Sequence, residues 1–296
     1  MEAKKKKIYT MFRPTIYSRH PTHSNIRRKN KAMGLLPFRS VVRLGSTTAI
    51  NDSISKGGNR VELNTVDAIR NSSSKLRMKD CFTQSNVKTA DWFKADNNLE
   101  SFSKQIISGN ETVMLEDMPL PLVVKSYYGS RGQGNSILNT IEEVRNYLRS
   151  GVNLQNRIFE RYYNYSREYR LHVDANGCFY TCRKMMKRDT PDGDKWFRND
   201  ANCVWITEDS ESGLFDKPSN WNDVVVESVK ALKAVGLDFG AIDLRIQSAT
   251  DVKGNRRESP DFIVVEINSA PSFGDVTTQK YIEHIPVMLK NKYKNG

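Results

Sequence analysis

Apolar residues along this chain keep two rhythms, and the rhythms outline its elements. From residue 119 onward, short runs that alternate or cluster sit between turn residues: LPLVVKS (120–126), RIFERYY (157–163), REYRLHVD (167–174), CFYTCRKMMKR (178–188), CVWIT (203–207), FGAIDLRIQ (239–247) and DFIVVEIN (261–268). These read as strands. Ala175, Asn176 and Gly177 separate the second pair closely related in space, and Asn-Gly predicts a β-hairpin there. Three stretches keep helical spacing instead. Thr140 and Glu143 form a T-x-x-E capping box that opens a helix running to about residue 149, with Gly151 beyond it. The stretch 220–235 is amphipathic and stops at Gly236, and 277–291 closes the chain as a helix. Earlier, the serines of SSSKLRMKDCF (72–82) cap a lysine-rich amphipathic run.

Three regions stay less defined. Residues 1 to about 70 mix short apolar runs with polar punctuation and predict a small α/β segment. Residues 94–118 are polar and show no rhythm, and 189–218 read as a long polar loop around CVWIT. No internal repeat is visible. Strands and helices mix, with antiparallel hairpins, so the fold class is α+β, or mixed α/β.

Composition narrows the setting. A length of 296 with 38% hydrophobic residues supports a core, in one large or two to three smaller domains. Cys81, Cys178, Cys182 and Cys203 form no CxxC pair and have no histidines at metal spacing, which predicts reduced, mostly buried thiols in the cytoplasm. Cys178 and Cys182, four apart in one strand, are expected on one face. No apolar run reaches the ~20 residues of a membrane span. The start, MEAKKKKIYTMF, lacks an apolar stretch after its lysines and does not read as a secretory signal. The net charge of +12 favours anionic partners, whether nucleotide, nucleic acid or an acidic peptide or protein.

The chemistry concentrates in three places. Gly129, Ser130, Arg131, Gly132 and Gly134 follow a strand that ends near Lys125. Glycines let backbone N–H groups approach phosphate oxygens, and a lysine adds a point charge. The loop is neither a P-loop nor a dinucleotide fingerprint, and by itself it also fits an ordinary turn. In VVEINSAPS (264–272), Val264, Val265 and Ile267 favour burial, while alternation sends Glu266 and Asn268 to one face. With Asp243 on a neighbouring strand they offer three oxygen ligands of the kind Mg²⁺ takes beside nucleotide phosphates. A single strand acid would equally fit an edge salt bridge. In FERYYNYSREYR, Glu160 ends one strand and Glu168 begins the next, a hinge whose backbone and acids suit an adenine and a ribose, though tyrosines there also fit a core.

The order lysine, glycine-rich loop, paired glutamates, aspartate, then E-x-N resembles the ATP-grasp superfamily, from about residue 75 to the last helix. It is most similar to the stand-alone glutamate-ligase type that modifies a ribosomal protein's C-terminus, with glutathione synthetase and D-alanine–D-alanine ligase further out. The resemblance implies an N-terminal α/β segment (1–72), a small subdomain with the glycine-rich loop (73–160) and a large one with the magnesium strands (161–296), the two subdomains clamping ATP. It implies Lys79 and Lys125 as the phosphate lysines, Tyr162 and Tyr163 at the hinge beside Glu160 and Glu168, and Asp243, Glu266 and Asn268 on one or two Mg²⁺ ions, with Mn²⁺ as a substitute. MKR (186–188) and FRN (197–199) resemble phosphate-side elements and nominate Lys187, Arg198 and Asn199. Arg170 and Arg245 are candidates to hold an acyl phosphate or carboxylate; ordinary strand-edge arginines are the alternative. His172 shares Arg170's face and reads as structural. The implied activity joins a carboxylate to an amine or thiol through an acyl phosphate. An ATP-grasp kinase and a basic nucleic-acid-binding protein are the other readings.

Overall fold

The computed structural model describes residues 10–19, 24–50, 60–129, 134–199 and 201–295. Three sheets organise them. The first is parallel, in order β1–β2–β3, from β1 (Thr15–Ser18), β2 (Arg39–Leu44) and β3 (Arg60–Leu63). The buried run Val41, Val42 and Leu44 makes β2 its centre, as a parallel strand covered on both faces requires. Helix α1 (Ser24–Lys29) and the last helix of the chain supply Ile26, Tyr281, Ile285 and Leu289 to its core.

After α2 (Val66–Ser73) and α3 (Lys75–Gln84) comes a six-stranded antiparallel sheet: β4 (Trp92–Ala95), β5 (Ser101–Ile106), β6 (Gly109–Met114), β7 (Leu122–Ser126), β8 (Ser136–Leu138) and β9 (Arg157–Arg161), ordered β6–β5–β4–β9–β7–β8. Two of these strands, β5 and β6, fill the polar stretch 94–118 in which the sequence showed no rhythm. Every residue of β6 is exposed or half-buried, so no alternation was there to read. Helix α4 (Ile141–Arg149) opens as its box predicts: Thr140 Oγ1 accepts from Glu143 N–H at 3.1 Å. The reciprocal bond goes one residue further out, from Asn139 N–H to Glu143 Oε2 at 2.6 Å.

The third sheet is also antiparallel, ordered β12–β11–β10–β13–β14, from β10 (Arg167–Asp174), β11 (Gly177–Met186), β12 (Cys203–Thr207), β13 (Phe239–Ile246) and β14 (Phe262–Asn268). Helix α5 (Trp221–Val235) buries Val224, Ser228, Ala231, Leu232 and Val235, the stripe its spacing predicts, and Gly236 ends it at φ 80°. Helix α3 adds Met78 and Phe82 to this same core, while Thr83 and Lys79 tie it to β4 and β9 of the six-stranded sheet through Trp92 and Glu160. Helix α6 (Asp275–Asn295) closes the chain across the N-terminal sheet.

Two bulges change which residues share a face. On β11 the register slips between His172 and Val173 of its partner. Cys182 therefore lines a cavity while Cys178 packs into the core beneath α5, which corrects the expectation of a shared face. On β14 one extra residue falls opposite the Asp243–Leu244 step. Val265 consequently joins Glu266 on the cavity side, where burial had been expected, while Val264 and Ile267 stay in the core. Among the described residues no helix is long and apolar enough to cross a membrane.

Candidate active site

One face of the five-stranded sheet is an array of charges in cross-strand register. Alternation puts Glu168, Arg170 and His172 of β10 on that face. Lys184 and Arg245 flank Glu168, Cys182 and Asp243 flank Arg170, and Tyr180 and Ala241 flank His172. On the next strand Glu266 stands beside Asp243 and Asn268 beside Ala241.

The charges of β10, β11 and β13 in the array are matched by neighbours. Arg170 donates to both Asp243 oxygens, at 2.7 and 2.8 Å. Lys184 bridges Glu168 at 2.6 Å and Asp243 at 3.2 Å. Arg245 and Arg198 approach Glu168 at 3.3 and 3.6 Å. Trp205 on β12 presents its ring to Arg170 and Lys184, at 4.8 and 5.1 Å. Burial alone would raise the pKa of Asp243 and Glu168, yet the adjoining cations hold both below the ordinary carboxylate range. Burial, helped by Arg170, pushes His172 down to about 3, and its Nδ1 lies 2.9 Å from Tyr281 Oη. Burial pushes the Cys182 thiol up to about 12, so it is no ready nucleophile.

The facing wall comes from α3 and the six-stranded sheet. Glu160 on β9 is buried, and its Oε2 takes Lys125 at 2.8 Å and Lys79 at 3.3 Å. Burial raises the Glu160 pKa and the two lysines outweigh it, leaving it lowered. Lys79 is fully buried and also donates to Thr89 Oγ1 at 2.7 Å. Lys75, one turn earlier on α3, reaches Gly129 O at 2.6 Å. At the hinge, Arg161 N–H bonds Asp91 O and Tyr162 N–H bonds Pro121 O, while Arg161 lies 5.0 Å from the Tyr163 ring centre and Arg245 5.3 Å from that of Tyr162.

Between the walls lies a cavity of about 850 Å³, within the usual range for a cofactor site. Lys125, Gly129, Glu160, Tyr162, Tyr163, Glu168, Arg170, Arg198, Asn199, Asp243, Arg245, Glu266 and Asn268 all line it. Three residues nominated from sequence do not. Lys79 sits behind the wall under Lys125 and Glu160, and Lys75 lines the cavity in its place. Lys187 lies past the end of β11, exposed, with its ammonium on Ala201 O at 2.6 Å; Lys184 is the lysine of that segment on the wall. Gly134 holds φ 70° beside Arg157 and is off the wall. Ser130, Arg131 and Gly132 fall outside the described residues. Lys184 was legible in principle, because it alternates with Cys182 on one strand face. Lys75 carried a fainter signal, as the first helical residue after the Ser74 cap.

No family model matches the sequence, and no curated protein matches it. Solved structures do match the fold. D-alanine–D-alanine ligase from Bacillus anthracis, complexed with ATP, aligns over 96% of this chain and 98% of its own, with a TM-score of 0.58 and 12% identity. The ATP-grasp ligase PsnB, complexed with a minimal precursor, aligns over 95% and 99%, with a TM-score of 0.57 and 11% identity. Phosphoribosylglycinamide synthetase from Anaerococcus prevotii aligns over 94% and 75%, with a TM-score of 0.57 and 13% identity. Likeness at such identity is likeness of fold.

Proposed function

Starting from an ATP-grasp fold over almost the whole chain, we propose that this protein is an ATP-dependent ligase that joins a carboxylate to an amine, or a thiol, with nucleotide held between its two larger sheets. The supporting observation is the pair of walls. Lys75 and Lys125 on one side, and Arg170, Lys184, Arg198 and Arg245 on the other, surround Glu160, Glu168, Asp243 and Glu266 in one cavity. Cations exceed anions on both sides, which suits a triphosphate.

In this reading the hinge at Tyr162 and Tyr163 takes the base, Glu168 the ribose, and Lys75, Lys125 and the Gly129 loop the phosphates. Lys79 holds Glu160 in place from behind. The large subdomain begins near residue 161, and the segment before residue 73 meets the second substrate.

Asp243, Glu266 and Asn268 would hold Mg²⁺. The donor set fits: two carboxylates and an amide on adjacent strands in register are the hard oxygen ligands this ion prefers. Asn268 Nδ2 donates to Glu266 Oε1 at 3.2 Å, so the amide oxygen takes no part in that bond. Bound there, the ion supplies Lewis-acid stabilisation of phosphoryl charge.

The chain's own residues do the rest. A carboxylate oxygen attacks the γ-phosphorus and ADP leaves; the acceptor's nitrogen then attacks the acyl carbon, phosphate leaves and the nitrogen loses a proton. Fixed cations lower the barrier because they are already aimed where negative charge grows. Both bonds of Arg170 to Asp243 and the contact of Arg245 with Glu168 mark these guanidiniums as parts of that fixed field. A free amine and an amine on an acidic peptide are the same nucleophile, and the reading covers both. A cytoplasmic setting, with reduced thiols and abundant ATP, suits the chemistry.

Calorimetry with ATP and Mg²⁺ is the first test; no binding at millimolar nucleotide would overturn the reading. Glu266→Gln and Asn268→Ala are then expected to lower kcat by about 100-fold while changing nucleotide affinity much less. Turnover within a few-fold of wild type in both variants would remove the metal assignment.

A further inference from the structure

Charge is spread unevenly along this chain. Of its 46 basic and 34 acidic residues, 15 and 4 lie before residue 73, so that segment carries +11 of the net +12. The rest of the chain, with 31 basic and 30 acidic residues, is almost neutral. The two larger sheets, whose cations face the cavity, therefore do not account for the excess.

The fold gathers part of that excess at one pole of the N-terminal sheet. Arg39 and Arg60 begin β2 and β3 and are direct neighbours in the parallel register. Arg39 lies over the Phe12 ring, 4.7 Å from its centre, which brings the exposed Arg13 alongside. Helix α6 ends at the same pole. There Tyr293 stacks on Phe38, the residue before Arg39, with ring centres 4.2 Å apart and planes 14° apart. Lys290 and Lys294 flank Tyr293 on one helix face, and all three are exposed. Glu62 and Asp238 border the patch and are engaged: Glu62 takes the buried Arg43 at 2.5 Å and Arg60 at 4.0 Å, and Asp238 takes Lys292. Like charges on adjacent strands cost stability, and a bound anion relieves that cost.

The patch is remote from the nucleotide cavity. Strands β1 and β2 run from it to Ser18 and Gly45, where Gly45 abuts Ala270 of the cavity wall. The six steps from Arg39 to Gly45 span roughly 20 Å of strand.

We propose that this pole of the N-terminal sheet binds single-stranded nucleic acid. The arginines and the α6 lysines meet backbone phosphates, and the Tyr293 ring, backed by Phe38, is a platform on which a base stacks. The ring is what favours this partner over an acidic peptide, whose carboxylates match the charge and leave an exposed aromatic face unused. The inference is independent of the ligase reading.

The test is fluorescence anisotropy on the full chain over a range of salt, with labelled short single strands of RNA and of DNA and a labelled polyglutamate as probes. A nucleic acid is expected to bind roughly tenfold or more tightly than polyglutamate at low salt, with affinity falling steeply as salt rises. Changing Arg13, Arg60, Lys290 and Lys294 together to Gln should weaken it roughly tenfold or more and lower the salt slope by roughly three. Changing Arg149, Lys233, Lys253 and Arg256 to Gln removes the same charge from exposed positions elsewhere and should cost no more than about threefold. Tyr293→Leu should weaken nucleic acid roughly fivefold or more with the slope unchanged, while Tyr293→Phe binds as wild type does. Polyglutamate bound as tightly as nucleic acid, equal losses from the two charge sets, or single strands bound normally by Tyr293→Leu would each overturn the proposal.

Discussion

The two walls of the cavity solve the problem of buried charge differently. On the α3 side, one carboxylate, Glu160, is shared by Lys79 and Lys125. On the five-stranded sheet, Glu168 and Asp243 are interleaved with Arg170, Lys184, Arg198 and Arg245 across neighbouring strands. The first is a cluster with a spare cation; the second is a lattice in which each cation leans on a specific acid. A cluster tolerates the loss of one lysine because Glu160 keeps another. The lattice is less forgiving, since removing Asp243 strands Arg170, whose ion pair is with that acid, even though Lys184 keeps Glu168. The difference follows from topology: cross-strand pairs repeat along a sheet, whereas a helix and two strand ends meet only once.

The largest expected effect tests this contrast. Asp243→Asn leaves Arg170 and Lys184 without their shared carboxylate in a site where Asp243 itself is 3% exposed. Removing one partner from such a buried arrangement costs roughly 3–5 kcal/mol. Lys79→Met keeps the Lys125–Glu160 bond at 2.8 Å and replaces a fully buried ammonium with an apolar chain of similar length, so its cost should be roughly 1–2 kcal/mol. Urea unfolding at pH 7 measures both. A Lys79→Met loss equal to or larger than that of Asp243→Asn would break the distinction between cluster and lattice.

A smaller effect separates the walls by pH. His172 lies on the lattice face, next to Arg170, and its pKa falls to about 3 in the fold. The unfolded chain takes up a proton as pH drops through about 6.5, while the folded chain resists until near 3. Stability from neutral His172 is therefore complete above about pH 6.5 and drains as pH falls below it, at up to about 1.4 kcal/mol per pH unit. The carboxylates Glu160, Glu168 and Asp243, all lowered in the fold, add their own loss only around and below about pH 4. Unfolding curves at pH 7, 6 and 5 should thus show a decline in wild type that flattens in His172→Gln. An equally steep decline in the variant would mean another group carries it.

Much of this contrast was legible in the sequence, and the reasons are specific. Alternation placed Glu266 with Asn268, and E-x-N with an upstream aspartate located the lattice edge. The elements from residue 120 onward stood out because they are buried on one face and so carry a period. Strand β6 carried none, since none of its residues is buried. The bulges on β11 and β14 were unreadable because an inserted residue leaves no mark in composition; they moved Cys178 and Val265 to faces that strict alternation denied them.

Lys75 and Lys79 show how fine that limit is, and they give the last test. Both lie on α3, four residues apart and so on one helix face, and the resemblance read from sequence nominated Lys79. The fold puts Lys75 at the cavity instead. Lys79 points between Thr89 and Glu160 with no exposed surface, while Lys75, at the first turn, borders the cavity and touches the carbonyl of Gly129. Burial lowers the pKa of both lysines, but only Lys75, at the cavity wall, is placed to meet a phosphate. Lys75→Met is therefore expected to unfold within about 0.5 kcal/mol of wild type and to bind ATP roughly tenfold more weakly. Lys79→Met should show the reverse, a clear stability loss with nucleotide affinity within a few-fold. Calorimetry and urea unfolding on the same two variants decide it: if Lys79→Met loses the nucleotide and Lys75→Met does not, the cluster's buried lysine, rather than the one at the wall, is the phosphate ligand.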